Sequence, residues 1–210
     1  MDAPQPPFLK IPVVTILMAG CAVAVALVPS WASWLIYDRS AILSGQLWRM
    51  FTGHWVHLSA SHLIWDVMPL GIGGWIIEAR GMPRFAWFCV LAPWIISAAA
   101  LVFEPRMSTC CGLSGLAMAM ITLLAVCGFS DAPPGRWICA AILLAVAGKI
   151  LFELASGHGL FVTNNGVPVV VSASNHIAGA VTALVFYGLR KHQHPKSKAE
   201  RRIRTPALRH

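Results

Sequence analysis

Apolar segments close to the length of a membrane-spanning helix recur along most of this 210-residue chain. A transmembrane helix needs about 20 consecutive, predominantly apolar residues. Only 11% of the residues are charged, against about 25% in a typical soluble domain, so the chain lacks the surface charge of a soluble protein. The sequence therefore predicts an all-α, polytopic membrane protein built as a bundle of six transmembrane helices. The predicted spans are residues 11–29, 57–77, 83–103, 113–129, 136–155 and 169–189.

Positive charge is concentrated at the C-terminal end. Residues 190–210 hold eight of the sixteen Lys and Arg residues, and basic residues beside a transmembrane segment favour the cytoplasmic side. Six spans put both termini on one side. The predicted organisation is a cytoplasmic N-terminus at 1–10, a membrane domain at 11–190 and a basic cytoplasmic tail at 191–210. A tail in this place is explained as an anchor at the lipid bilayer, so no nucleic-acid partner is predicted.

Polar side chains lie within or beside the predicted spans, where they are costly. A charged side chain at the centre of a bilayer costs about 2.5–3.5 kcal/mol on insertion scales, so such residues usually face a cavity and serve a function. The second, fourth and sixth spans carry polar residues toward their non-cytoplasmic ends, which the predicted topology brings together. They are His54, His57, His62 and Asp66 at the second span, Ser114 at the fourth and His176 in the sixth.

Ser114 and His176 are a candidate nucleophile and base. A serine hydroxyl is a poor nucleophile until a neighbouring base takes its proton, and histidine suits that role. Small residues at 115 and 119 of the fourth span, and at 179 and 183 of the sixth, allow the two helices to pack closely. We therefore expect His176 within hydrogen-bonding distance of Ser114. The glycine before the serine, Gly112, is expected to leave backbone N–H groups for a developing oxyanion.

Three sequence elements together resemble a known family. The elements "HLSASHLIWD", "GLSG" and "NHIAG", in that order on the second, fourth and sixth spans, are similar to those of the rhomboid intramembrane serine proteases, whose six-helix core would cover nearly the whole chain. Within that family, "WRMFTGHWVHLSASHL", "KILFEL" and "NHIAGA" most resemble the rhombosortase branch. A lone GxSG would be a weak signal, but three ordered elements are specific.

The resemblance implies a role for each matching residue. Ser114 would be the nucleophile and His176 the general base, while His62 would help to bind the oxyanion. Gly112 would belong to the loop before the serine. The three remaining matches have supporting parts: His57 is expected to be a structural hydrogen bonder, and Trp48 and Arg49 match a structural pair in the family's first loop.

Asp66 departs from the general rhomboid pattern, which has asparagine at this position. An ionised carboxylate would repel an oxyanion. Either apolar surroundings keep Asp66 protonated, or it pairs with His62 one turn earlier and makes that imidazole a stronger donor. We favour the pairing, and doubt a direct oxyanion role for position 66.

Two further groups of residues allow alternative interpretations. Lys149 and Glu153, four residues apart on the fifth span, are expected to form an ion pair, although a substrate-facing role is open. Cys110 and Cys111 precede the serine loop and are either packing residues or reactive thiols. Because the sequence near His176 offers no third carboxylate, a Ser–His dyad is expected, without a cofactor or metal.

The resemblance implies a serine endopeptidase in a bacterial inner membrane, open to water and substrate on the non-cytoplasmic side. Its partners would be exported proteins held in the membrane by a C-terminal tail with a glycine-rich motif, a transmembrane helix and basic residues. Two alternatives remain. One is a catalytically inactive relative that binds membrane helices, and the other is a metal transporter that uses His54, His57 and His62.

Overall fold

The structure is a computed structural model that describes residues 11–129, 131–157 and 173–193, with side chains up to Lys191. Residues 1–10, most of the basic tail and the first four residues of the predicted sixth span lie outside the described residues. The helices are α1 (Val13–Leu27), α2 (Ala32–Leu35), α3 (Arg39–Leu43), α4 (Arg49–Thr52), α5 (Ala60–Ala79), α6 (Phe85–Phe103), α7 (Ser114–Gly128), α8 (Gly135–Ser156) and α9 (Ala173–Gln193).

A helix occupies each of the six predicted spans. The agreement is closest for the fifth, where residues 136–155 were predicted and α8 covers Gly135–Ser156. By length and composition, α6 and α8 are suited to cross a membrane. A third candidate is α1 continued into Pro29–Leu35, with a bend of 98° between the two parts. The chain is therefore a mostly helical membrane protein, and the count of six spans stays a prediction.

The chain is mostly helical, as predicted, and it adds one short two-stranded ladder that the prediction did not include. Strand β1 (Tyr37–Asp38) pairs with β2 (Thr109–Cys110) in antiparallel register, with Tyr37 opposite Cys110. The backbone N–H of Arg39 extends the ladder by donating to the Ser108 carbonyl at 2.8 Å. Strands of two residues are too short to show an alternating sequence pattern, so the prediction missed them. The ladder ties the long loop after α1 to the segment before α7.

Helix α7 lies at the centre of the bundle. It is short and apolar on all sides, and ten of its fifteen residues are buried, as expected of a helix enclosed by others. It packs mainly against α5, α8 and α9. Helix α8 is the opposite case, because its buried residues are Val146 and Glu153 and its remaining apolar surface suits contact with lipid.

Helix α1 is attached to α5 through its N-terminus. The carboxylate of Glu78 on α5 accepts hydrogen bonds from the backbone N–H groups of Val14 and Thr15 at 2.9 and 3.0 Å, and from the Thr15 hydroxyl at 2.9 Å. The first N–H groups of a helix have no intrahelical acceptor, so a carboxylate from a neighbouring helix satisfies them and favourably meets the helix dipole.

Candidate active site

Helices α7 and α9 cross with their backbones in contact. A Cβ atom added to Gly179 would lie 2.0 Å from the Gly115 carbonyl oxygen, and one added to Gly115 would lie 3.0 Å from the Asn175 carbonyl oxygen. Side chains larger than hydrogen at these two positions would force the helices apart. The predicted close packing of the fourth and sixth spans through small residues is confirmed.

This crossing sets the positions of the two predicted reactive residues. Ser114 is the first residue of α7 and is partly exposed, whereas His176 is 2% exposed. Each is adjacent in sequence to a residue of the Gly115–Asn175 contact. Within the described residues, the side-chain contacts of His176 go through Nδ1 to α8, so the expected hydrogen bond between Ser114 and His176 is not formed in this structure. Catalytic hydrogen bonds are often long before substrate binds.

The loop before Ser114 requires glycine at position 112. Gly112 has a φ of 105°, a conformation open to glycine and strained for other residues. A Cβ atom there would lie 2.5 Å from His62 Nε2 and 2.9 Å from Asp66 Oδ2. The loop backbone is therefore packed directly against these two side chains.

The backbone N–H groups at residues 112 and 113 of this loop are not free, contrary to the expectation for Gly112. The Gly112 N–H donates to the Gly53 carbonyl at 3.3 Å, and the Leu113 N–H donates to His57 Nε2 at 3.4 Å. Both groups are engaged, so they are not left for an oxyanion as the glycine had suggested. The N–H of Ser114 belongs to the first turn of α7, where backbone donors have no intrahelical acceptor.

Two histidines share one oxygen of Asp66. Asp66 Oδ2 lies 3.2 Å from His62 Nε2 and 3.3 Å from His57 Nε2, and all three side chains are almost fully buried. The predicted pair of Asp66 and His62 is present, and His57 adds a second imidazole. His57 Nδ1 also lies 3.1 Å from the Trp55 carbonyl oxygen, in keeping with its expected structural role. His62 Nδ1 is buried without a partner among the described residues.

The same three side chains are the described group best able to hold a metal ion. Their ligand atoms lie within 4.8 Å of one another, and two imidazoles with a carboxylate are a common zinc ligand set. The imidazole–carboxylate contacts are close in distance, but Asp66 Oδ2 and His62 Nδ1 are both buried without a hydrogen-bond partner among the described residues. His54, required by the transporter hypothesis, lies elsewhere. Its Nε2 is 3.0 Å from both the Pro93 carbonyl and the Ser97 hydroxyl, and burial lowers its pKa to about 4.

A second buried cluster surrounds His176. Glu153 Oε2 lies 2.5 Å from His176 Nδ1, and Glu153 Oε1 accepts from Lys149 Nζ. The predicted Lys149–Glu153 ion pair is therefore present. The sequence near His176 offers no carboxylate, but Glu153, 23 residues away, reaches His176 through the packing of α8 on α9, so the reason given for a dyad does not hold. The available sequence signal for this contact was a single acidic residue, Glu153, within an apolar helix.

Trp48 and Arg49 stabilise the loop that leads to α5. Arg49 is buried, and its Nη1 donates to the carbonyls of Ser33 and Ile36 at 3.0 and 2.9 Å, while its Nε donates to Gln46 Oε1 at 2.7 Å. Trp48 Nε1 donates to the Trp34 carbonyl at 3.3 Å. Both residues contact the loop itself, which fits the structural role expected for them.

The two cysteines before the serine loop are held as neutral thiols. Burial raises the pKa of Cys110 to about 11 and that of Cys111 to about 12. The Cys110 sulfur also accepts a hydrogen bond from Asn175 Nδ2 at 3.2 Å. Since the thiolate is the reactive form of cysteine, this environment favours the packing interpretation over the reactive one.

Comparison with protein families gives one match. The family model described as the Rhomboid domain matches residues 44–192, which includes both buried clusters, the α7–α9 crossing and the loop before Ser114. A comparison with curated proteins found no match.

Proposed function

The chain belongs to the rhomboid family, and from this premise we propose that it is an intramembrane serine endopeptidase with Ser114 as nucleophile and His176 as general base. The family match supports intramembrane proteolysis in general terms. The finer assignment is carried by one observation, the direct contact between Gly115 of α7 and Asn175 of α9. Residues next in sequence to Ser114 and His176 therefore approach each other across the helix crossing, which supports the pairing.

The proposed chemistry proceeds through an acyl-enzyme. His176 takes the proton of Ser114 Oγ as this oxygen attacks a peptide carbonyl near the end of the substrate's transmembrane helix. The Ser114 N–H and His62 then donate hydrogen bonds to the tetrahedral oxyanion, and each such donor is typically worth about 10²–10³ in rate. His176 passes its proton to the leaving amine, and water hydrolyses the acyl-enzyme.

Asp66 and Gly112 support the oxyanion donor. Asp66 Oδ2 lies 3.2 Å from His62 Nε2, so the carboxylate would orient the His62 ring. Gly112 allows the serine loop to approach His62 without steric conflict. His62 Nδ1 has no partner among the described residues and is the nitrogen that a substrate oxygen would engage.

The substrate class comes from the rhombosortase resemblance. We propose exported proteins anchored by a C-terminal tail with a glycine-rich motif, a transmembrane helix and basic residues. Cleavage would occur at the non-cytoplasmic face of a bacterial inner membrane, with both termini of the enzyme in the cytoplasm. No cofactor takes part in this reaction.

A fluorophosphonate probe tests the nucleophile directly, because it phosphonylates an activated serine hydroxyl with loss of fluoride. We expect labelling of the purified wild-type protein, and none of Ser114→Ala or His176→Ala. The matched control is Ser108→Ala, which changes an exposed serine six residues earlier and should label like the wild type. A catalytically inactive relative would remain unlabelled in every form.

The substrate class is tested in cells. Membrane and secreted fractions from cells with the wild-type protein are compared with those from cells with Ser114→Ala. We expect proteins with the C-terminal tail described above to accumulate uncleaved in the Ser114→Ala membranes. If labelling requires Ser114 but such proteins are processed equally in both strains, the protease assignment stands and the substrate class is wrong.

A further inference from the structure

Glu153 is a buried carboxylate on a helix with few buried residues. Only 1% of its side chain is exposed, although most of α8 faces outward. An ionised carboxylate persists in such a place only when it is paired and hydrogen-bonded. Its two partners are Lys149, one turn earlier on α8, and His176 on α9. Glu153 thus connects the peripheral helix to the candidate general base.

The contacts of Glu153 select one tautomer of His176. Oε1 accepts from the Lys149 ammonium, and Oε2 lies 2.5 Å from His176 Nδ1. A carboxylate is an acceptor only, so this contact requires the ring proton on Nδ1. Lys149 Nζ is farther from Nδ1, at 3.3 Å, and approaches the ring without donating to it. The lone pair needed by a general base then lies on Nε2.

We propose that Glu153 is a positioning residue for His176, so that the site operates as a Ser114–His176–Glu153 triad with Lys149 balancing the charge of the carboxylate. This inference rests on the proposed function, since it assigns a partner to the base of that same site. A purely structural ion pair between Lys149 and Glu153 would need no imidazole on the second carboxylate oxygen.

The proton balance of the triad is simple. The Ser114 Oγ proton moves to His176 Nε2 as the serine oxygen bonds to the carbonyl carbon. The ring is then an imidazolium, whose Nδ1–H remains donated to Glu153 Oε2. Glu153 stays ionised throughout and stabilises the positive ring. The Nε2 proton leaves with the amine, which restores the neutral tautomer.

The charge around His176 comes from α8. Helices α6 and α7, which also pack against α9, contain no Asp, Glu, Lys or Arg. Cys110 approaches through Asn175 as a neutral thiol. The Asp66 cluster, with its two histidines, lies against Gly112 of the serine loop. Among the described residues, Glu153 and Lys149 are therefore the charged groups in contact with the ring, and they act in opposite directions.

Because Glu153 and Lys149 carry opposite charges, removing each charge should move the pH–rate profile of fluorophosphonate labelling in opposite directions. Glu153→Gln removes the negative charge, so the imidazolium forms less readily and the acid limb moves to lower pH. Lys149→Met removes the positive charge, so the acid limb moves to higher pH. We expect each shift to be about one unit or more, as for a charge within 4–6 Å. Glu153→Gln should also slow labelling by about 10²–10⁴-fold, in the range found for triad carboxylates, and Glu153→Asp should recover part of that loss.

Glu78→Gln is the matched control, because Glu78 is a carboxylate that joins α5 to α1 without contacting His176. It should lower thermal stability and leave the pH profile in place. The inference is overturned if the wild type labels through Ser114 and His176 but Glu153→Gln keeps the wild-type rate and profile. If Glu153→Gln does not fold, the Lys149→Met variant is the test. An acid limb that does not move to higher pH in that variant overturns the inference. If the wild type shows no labelling that depends on Ser114, the proposed function itself is refuted.

Discussion

The candidate site contains two buried clusters, and both combine a carboxylate with a basic side chain one helical turn earlier. On α5 the pair is His62 and Asp66, and on α8 it is Lys149 and Glu153. Each carboxylate also contacts a histidine from another segment, His57 in the first cluster and His176 in the second. They differ in how the carboxylate is used. One Asp66 oxygen serves both imidazoles, whereas the two Glu153 oxygens serve separate partners.

This difference indicates that the two clusters support the candidate site in different ways. The Asp66 cluster lies against the backbone of Gly112, so its main effect is on the shape of the serine loop and on His62. The Glu153 cluster directs one carboxylate oxygen at the Nδ1 atom of the proposed base. We therefore expect the reaction to depend on the charge of Glu153 more than on the charge of Asp66.

The largest effect should come from Gly179→Ala, which should move α9, and with it His176, away from α7. Its Cβ would lie 2.0 Å from the Gly115 carbonyl oxygen, so α9 must move and carry His176 away from Ser114. We expect labelling to fall below detection and stability to drop by about 1–3 kcal/mol, as for overpacking. Gly188→Ala on the same helix meets open space and should match the wild type in labelling and thermal melting. Normal labelling of Gly179→Ala would contradict the proposed helix crossing.

Gly112→Ala should be the next most severe change, and it disturbs the Asp66 cluster alone. The new Cβ would lie 2.5 Å from His62 Nε2 in a backbone with a φ of 105°. Loss of an oxyanion donor predicts a decrease of about 10²–10³ in the labelling rate. Gly45→Ala has nearly the same φ, 102°, with nothing within 4 Å, so it carries the backbone strain without the contact. Equal rates in the two variants would show that strain alone acts.

The sequence predicted those features that depend on one segment at a time. Helix α8 was located to within a residue at each end, because apolar composition over about 20 residues is a local signal. The Asp66–His62 pair was predicted because both residues lie on one helix, four positions apart. The contact of Glu153 with His176 was missed because it depends on how α8 packs against α9. The β1–β2 ladder was missed for a similar reason, since each strand gains its partner only in the folded chain.

Asp66→Asn tests the comparison between the carboxylates most directly. It removes one charge and keeps the size of the side chain, as Glu153→Gln does in the other cluster. An asparagine oxygen still accepts from His62, and the general rhomboid pattern has asparagine here, so we expect labelling and cleavage within about tenfold of the wild type, less than the loss of an oxyanion donor. The two variants are compared at one pH on detergent-purified protein. A folded but inactive Asp66→Asn protein would show that the Asp66 carboxylate is itself required.

The smallest effect should come from removing metal ions. His57, His62 and Asp66 could hold a divalent cation, yet the proposed reaction assigns no step to a metal. Treatment with a chelator should therefore leave the labelling rate unchanged, and elemental analysis of the purified protein should find well below one zinc per chain. If one metal ion per chain is found in the wild type and is lost in Asp66→Asn, the Asp66 cluster is a metal site. The two clusters would then differ in kind, one binding a cation and the other orienting a base.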